Sequence, residues 1–177
     1  DMALTIQDYI LTRDGANISV YNEDYAVRFV GENGLATKVV TKNGHEFETD
    51  FIVVSAGVVP NSEIAVAAGL KTGVNGSIWV NSHLKTSYPR IYAAGDCCEK
   101  HHMVTNHPCW LPLGSTANKE GRCAAINIAN KNCDFEGVLG AAVSRYFDFT
   151  VAMTGITERE AKRQGYEVVT ATVTSED

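Results

Sequence analysis

Residues Asp50 to Ala56 read Asp-Phe-Ile-Val-Val-Ser-Ala, a nearly unbroken apolar run that stops at Gly57. A strand wetted on one face alternates apolar and polar positions. A continuous run belongs instead to a strand covered on both faces, as in a sheet with helices packed on each side. The run therefore predicts an α/β fold. Beyond Gly57, Val58-Val59-Pro60-Asn61 leads into a short helix, with Asn61 or Ser62 as its cap, that runs to Ala68 and is ended by Gly69.

A second strand is predicted over Arg90 to Ala94. Pro89 fixes its own φ and biases Tyr88 toward extended backbone, so the strand is entered sharply, and it is left at Gly95-Asp96. In open α/β sheets ligands bind beyond the carboxyl ends of strands. There Gly95 permits close backbone approach and Asp96 offers acceptors to ribose-like hydroxyls. By pattern alone, Gly-Asp after a strand is also what an ordinary turn looks like.

The rest of the chain divides by its punctuation. Met2, Ile6, Tyr9 and Ile10 lie at helical spacing within Asp1 to Arg13, ahead of Asp14-Gly15. Ile18 to Val20, Tyr25 to Val30, Leu35 to Thr41 and His45 to Phe47 are β-formers, and Asn33-Gly34 and Asn43-Gly44 suit tight turns, which predicts an antiparallel meander. Gly73 to Val80 reads as a turn at Asn75-Gly76 and a short strand. Leu111 to Arg122 opens a helix to about Ala129, capped by Ser115 or Thr116. Asn130 to Gly140 is broken by Asn132, Asp134, Gly137 and Gly140, the pattern of a linker. Ser144 to Thr150 starts a new unit. Thr157 and Glu160 form a capping box for a helix to Gln164, and Tyr166 to Val173 alternates as a strand.

Charge and composition narrow the function. With 177 residues and 45% hydrophobic content the chain can build a real core, and its net charge of -6 without any basic block argues against a nucleic-acid partner. No apolar run approaches a membrane span and no signal peptide opens the chain, so a soluble cytoplasmic protein is expected. Five cysteines fit free thiols better than a disulfide scaffold. Cys97, Cys98, His101, His102, His107 and Cys109 crowd one irregular stretch. Zinc uses such ligands, but a closed site wants separated pairs, and no second Cys-x2-Cys occurs; loop histidines and buried thiols are the simpler reading, with no metal.

The run Thr86 to Asp96, followed by Cys97-Cys98-Glu99, resembles the second FAD-binding motif of the pyridine nucleotide-disulfide oxidoreductases. Leu111-Pro112-Leu113-Gly114-Ser115-Thr116-Ala117-Asn118-Lys119-Glu120-Gly121-Arg122 is similar to the flavin-contacting helix of the family's NADH oxidase and coenzyme A-disulfide reductase branch. The resemblance implies that Gly95 and Asp96 bind the ribityl or pyrophosphate region of FAD. It also implies that Leu113, Gly114 and Ser115 face the flavin ring through main-chain groups. The unpaired amides and dipole of a helix start favour the negative charge a reduced flavin carries. Gly57, where a similar strand ends in Ala/Thr-Gly and then Pro-Asn, is implied to lie near the nicotinamide nucleotide.

The expected organisation follows: residues 1-57 as the end of an NAD(P)-binding domain, 58-132 as the end of an FAD-binding domain, 133-143 as a linker, and 144-177 as the start of an α+β dimerisation domain, hence a homodimer. With no initiator Met, and an end just after a strand-like run, the chain reads as a carboxyl-side fragment. The implied activity of the parent is hydride transfer from NAD(P)H to FAD and onward to a small-molecule disulfide or dioxygen. Neither Gly-x-Gly-x-x-Gly fingerprint is present and none of the cysteines matches the family's redox thiol, so the isolated chain is expected to be inactive. A non-catalytic dimerisation or interaction module and a zinc-binding domain on the Cys97 to Cys109 loop are the alternatives.

Overall fold

The computed structural model describes residues 2–13, 15 and 17–175, and the chain divides into two compact units, Asp1–Val58 and Val59–Asp177. The first opens with helix α1 (Met2–Thr12). Asp1 and Asp14, from the expected helix and its stop, lie outside the described residues. An antiparallel meander follows, β1 (Ala26–Glu32), β2 (Leu35–Thr41) and β3 (Glu46–Glu48), in the spatial order β1-β2-β3. The β1–β2 turn places both Asn33 and Gly34 at positive φ (53° and 81°), which is the twist a two-residue hairpin needs. Asp24 braces the second turn: its Oδ1 accepts the amides of Tyr25 (2.9 Å) and Asn43 (3.2 Å), and its Oδ2 lies 2.9 Å from His45 Nδ1.

Two expected strands of this unit do not form. Ile18 to Val20 is irregular and exposed. The apolar run Asp50 to Ala56 is also unpaired, with Phe51 and Val53 about three-quarters exposed at 75% and 76%. Its composition asks for a neighbouring strand on each side and a covering layer on each face, and the described residues of this unit supply neither.

The second unit has two small buried clusters that share Val80 at their edges. One gathers Ala65, Leu70, Ile78, Ala93 and Cys98; the other gathers Leu84, Cys123 and Ala124, with Phe135 against it. Helix α2 (Glu63–Ala67) ends at Gly69, as its sequence predicts. Ser62 does not cap it through its side chain, because the Ser62 hydroxyl donates to the Gly76 carbonyl at 2.7 Å instead. Ile78 pairs in parallel with Cys98, and Lys85 antiparallel with Tyr92, as isolated bridges. The predicted strand over Arg90 to Ala94 is therefore reduced to one bridge. Arg90 sits at φ 66°, and buried Thr86 receives the Tyr88 amide and bonds the Ile91 carbonyl, which holds a bend where an extended entry was expected.

Strands β4 (Lys100–His102) and β5 (His107–Cys109) form a hairpin inside the Cys/His-rich stretch, and helix α3 (Gly114–Ile128) follows. The segment after α3 runs close to the body: Asn127 brackets Cys133 with two hydrogen bonds, its Nδ2 donating to the Cys133 carbonyl at 2.8 Å and its Oδ1 accepting the Cys133 amide at 2.9 Å, Phe135 N donates to Ser82 O, and Val138 is buried beside His101. Strands β6 (Ala142–Tyr146) and β7 (Phe149–Met153) form a second hairpin, and α4 (Glu158–Arg163) begins where predicted, the Thr157 hydroxyl accepting the Glu160 amide at 3.2 Å. Tyr166 to Val173 makes no strand; Val169 and Val173 lie in water without a partner strand among the described residues. No helix among the described residues is long and apolar enough to cross a membrane.

Candidate functional site

The site is built where the Gly95-Asp96 turn meets α3. Gly95 adopts φ 86°, which L side chains avoid, and a Cβ placed on it would lie 3.4 Å from the Ala117 methyl. The turn is thus packed against the first turns of α3. Both of its main-chain polar groups are held by charged side chains from elsewhere. The Gly95 N–H donates to Glu120 Oε2 at 2.7 Å, and the Gly95 carbonyl accepts from Lys100 Nζ at 2.7 Å. Lys100 also donates to the Cys98 carbonyl at 3.1 Å and stands 3.5 Å from Glu120 Oε1, an ion pair longer than a hydrogen bond. Both side chains are wholly buried. Burial pushes the Glu120 carboxyl above its ordinary range, with Lys100 and the Gly95 amide working against that rise.

Asp96 follows with its side chain exposed, and among the described residues its carboxylate takes no hydrogen bond. Its main-chain carbonyl is tied down by the Trp110 indole N–H at 2.7 Å. Helix α3 starts at Gly114, after Leu113 in extended conformation (φ -134°, ψ 124°). Neither Ser115 nor Thr116 caps it, contrary to expectation: both lie inside the first turn, and Leu113 at the cap position carries no acceptor. The first amides of α3 are therefore without a side-chain acceptor among the described residues, which leaves their partial positive charge available.

Gly95, Asp96, Leu113, Gly114 and Ser115 are thus carried on two segments brought together by Gly95 against Ala117 and Trp110 against Asp96. Asp96, Gly114 and Ser115 are exposed, Leu113 is half-buried and Gly95 is buried. Two cavities of this unit, about 610 and 670 Å3, are lined by other residues: the first by Trp79, Leu84 and Phe135, the second by His102, Trp110 and Met153. Gly57 belongs to the other unit, at φ 93°.

The Cys/His stretch does not assemble into a metal cage; among the described residues no group of three or more His, Cys, Asp or Glu side chains is placed to hold an ion. All five cysteines are free. Burial pushes the Cys98 and Cys123 thiols up to about 12 and Cys109 up to about 11. Sequence reasoning missed Lys100, Trp110 and Glu120. A signal existed for the last. Thr116, Glu120, Cys123, Ala124 and Asn127 form the buried stripe of α3, and a carboxylate on such a stripe requires a partner.

The sequence model of the family described as pyridine nucleotide-disulphide oxidoreductase matches residues 6–121. Over 134 residues the chain is 42% identical to the CoA-dependent NAD(P)H sulfur oxidoreductase of Pyrococcus furiosus, covering 76% of this chain and 30% of that protein. It is 34% identical to the NADH oxidase of Methanocaldococcus jannaschii, over 96% of this chain and 36% of that protein. The crystal structure of a FAD-dependent pyridine nucleotide-disulphide oxidoreductase from Desulfovibrio vulgaris superimposes with a TM-score of 0.86 at 32% identity, over 95% of this chain and 41% of that one. The chain therefore spans only about a third of the length of the curated relatives it matches. On the extent of the sequence match and the agreement of fold, this chain belongs to the pyridine nucleotide-disulphide oxidoreductases.

Proposed function

We propose that the chain is the carboxyl-side part of a flavin-dependent NAD(P)H oxidoreductase, and that the Gly95-Asp96 turn and the start of α3 hold its FAD. The observation that carries this reading is an exposed carboxylate, free of protein partners among the described residues, on a turn clamped by a buried ion pair beside an uncapped helix start. A donor set of this kind suits FAD. Asp96 accepts hydrogen bonds from ribityl or ribose hydroxyls, Gly95 lets the turn pack against Ala117, Gly114 presents no side chain to obstruct the ligand, and the amides of Gly114 and Ser115 suit the electron-rich edge of the ring.

The chemistry a bound FAD supplies is acceptance of two electrons from NAD(P)H and their delivery to a disulfide or dioxygen. The chain's own groups bind and orient. Leu113 presents its main chain at the helix entry, and Gly57, at the end of the nicotinamide-nucleotide domain in this reading, leaves room for the nicotinamide half. The buried thiols Cys98 and Cys123 stay protonated at neutral pH, so passage of electrons to a disulfide does not use them. The same reading divides the chain at residues 57, 132 and 143, and makes the enzyme a cytoplasmic homodimer through the unit that begins at residue 144.

The test is flavin content. In the whole enzyme Asp96→Ala lowers bound FAD, measured by absorbance after gel filtration; unchanged stoichiometry removes Asp96 from the site. The 177-residue chain alone is expected to retain little flavin, and a yellow protein with one FAD per chain would contradict that.

A further inference from the structure

The buried pair Lys100 and Glu120 clamps the turn used in the binding just described, and its geometry gives that clamp a more specific task. Each side chain is fully enclosed, and each places a charged atom 2.7 Å from one main-chain group of the same residue, Gly95. Cys98 closes the arrangement, its thiol donating to the Gly95 carbonyl at 3.3 Å and lying 3.8 Å from Glu120 Oε2. Among the described residues Glu120 Oε1 has no hydrogen-bond partner, so the carboxylate is held there by one short bond and one ion pair.

Two charges are costly to bury, and hydrophobic replacements often support a fold as well or better. What an apolar pair cannot do is bind the N–H and the carbonyl of one glycine at once. With both groups fixed, the peptide planes on either side of Gly95 are fixed, and with them the direction in which Asp96 leaves the turn. Glu120 also belongs to α3, one turn beyond Ala117, so the same carboxylate ties the direction of Asp96 to the helix whose start lies beside it.

We propose that Glu120, neutralised by Lys100, is a positioning residue for FAD: it holds the Gly95 amide so that Asp96 is presented in register with the start of α3. This rests on the flavin reading above. Glu120 touches no cofactor itself and acts through Gly95.

The test is a set of FAD dissociation constants for the whole enzyme, measured by flavin fluorescence on apoprotein, with thermal melting to establish that each variant is folded. Lys100→Gln with Glu120→Gln (the Gln variant) removes both charges but keeps a donor for the Gly95 carbonyl and an acceptor for its amide, and is expected to bind FAD within about threefold of the parent. Lys100→Gln with Glu120→Leu (the Leu variant) keeps the donor and removes only the acceptor, and is expected to bind about tenfold more weakly or worse.

The decisive comparison adds Asp96→Ala to both pairs. If Glu120 acts through Asp96, exchanging Gln for Leu then changes affinity by less than about threefold. The same tenfold loss with and without Asp96 overturns the positioning role, as does a Leu variant that binds like the Gln variant, or a Gln variant as weak as the Leu variant. These failures leave the flavin reading intact. Asp96→Ala with unchanged affinity overturns that reading instead, and the positioning role with it.

Discussion

The Trp110 indole N–H donates to the main-chain carbonyl of Asp96 at 2.7 Å, so the residue that leads toward α3 is bonded directly to the residue that leaves the Gly95 turn. Fourteen positions separate them, and the hairpin of β4 and β5 lies between.

Trp110→Phe keeps most of the ring area and deletes the donor. A single hydrogen bond of this kind contributes about 1 kcal/mol, so the variant is expected to melt roughly 2–4 °C lower. Thermal unfolding followed by circular dichroism measures it, and a midpoint unchanged from the parent would mean that water replaces the indole at no cost.

Asp24 gives the first unit an acid limit. Its enclosure pushes the carboxyl up, but hydrogen bonds from His45, Thr41 and the amides of Asn43 and Tyr25 outweigh that and hold it down at about 2, against an ordinary 3.8. A carboxyl depressed in the folded state contributes stability that is present above its unfolded value and lost as protons bind. Stability is therefore expected to fall between about pH 4 and pH 2. Asp24→Asn should flatten that part of the profile in urea titrations read across the same pH range; an equally steep profile would assign the loss to other carboxylates.

Thiol reactivity should separate the five cysteines. Cys98 and Cys123 are enclosed, at 0% and 3% exposure, and both thiols are pushed up to about 12, so neither the sulfur nor its thiolate is available at neutral pH. An aromatic disulfide reagent is expected to leave these two unmodified until the chain unfolds, with the half-buried Cys97 and Cys133 reacting first. Peptide mass mapping after a short exposure checks the order, and early labelling of Cys98 would contradict the packing of the Gly95 turn.

Much of the local structure was legible because short-range chemistry decides it. Asn33-Gly34 turns as its residue types require, and the Thr157 hydroxyl caps α4 as the Thr-x-x-Glu spacing predicts. The α3 segment was found from its sequence, but its cap was misassigned. Ser115 and Thr116 have the right chemistry, and only the position at which the backbone turns helical, after Leu113, determines which residue stands at the end.

The amino-acid sequence by itself determined the family, the meander, the helices and the place of Gly95-Asp96, since each depends on residue types within a few positions of one another. Tertiary structure alone decided that Lys100 and Glu120 close on the two sides of Gly95, that Trp110 bonds Asp96, and that Asp50 to Ala56 stays unpaired. The physical reason is the same in each case. A buried charge or an apolar strand states in the sequence that it needs a partner, but which group meets it, or whether any does, depends on what the folded chain brings within a few ångströms.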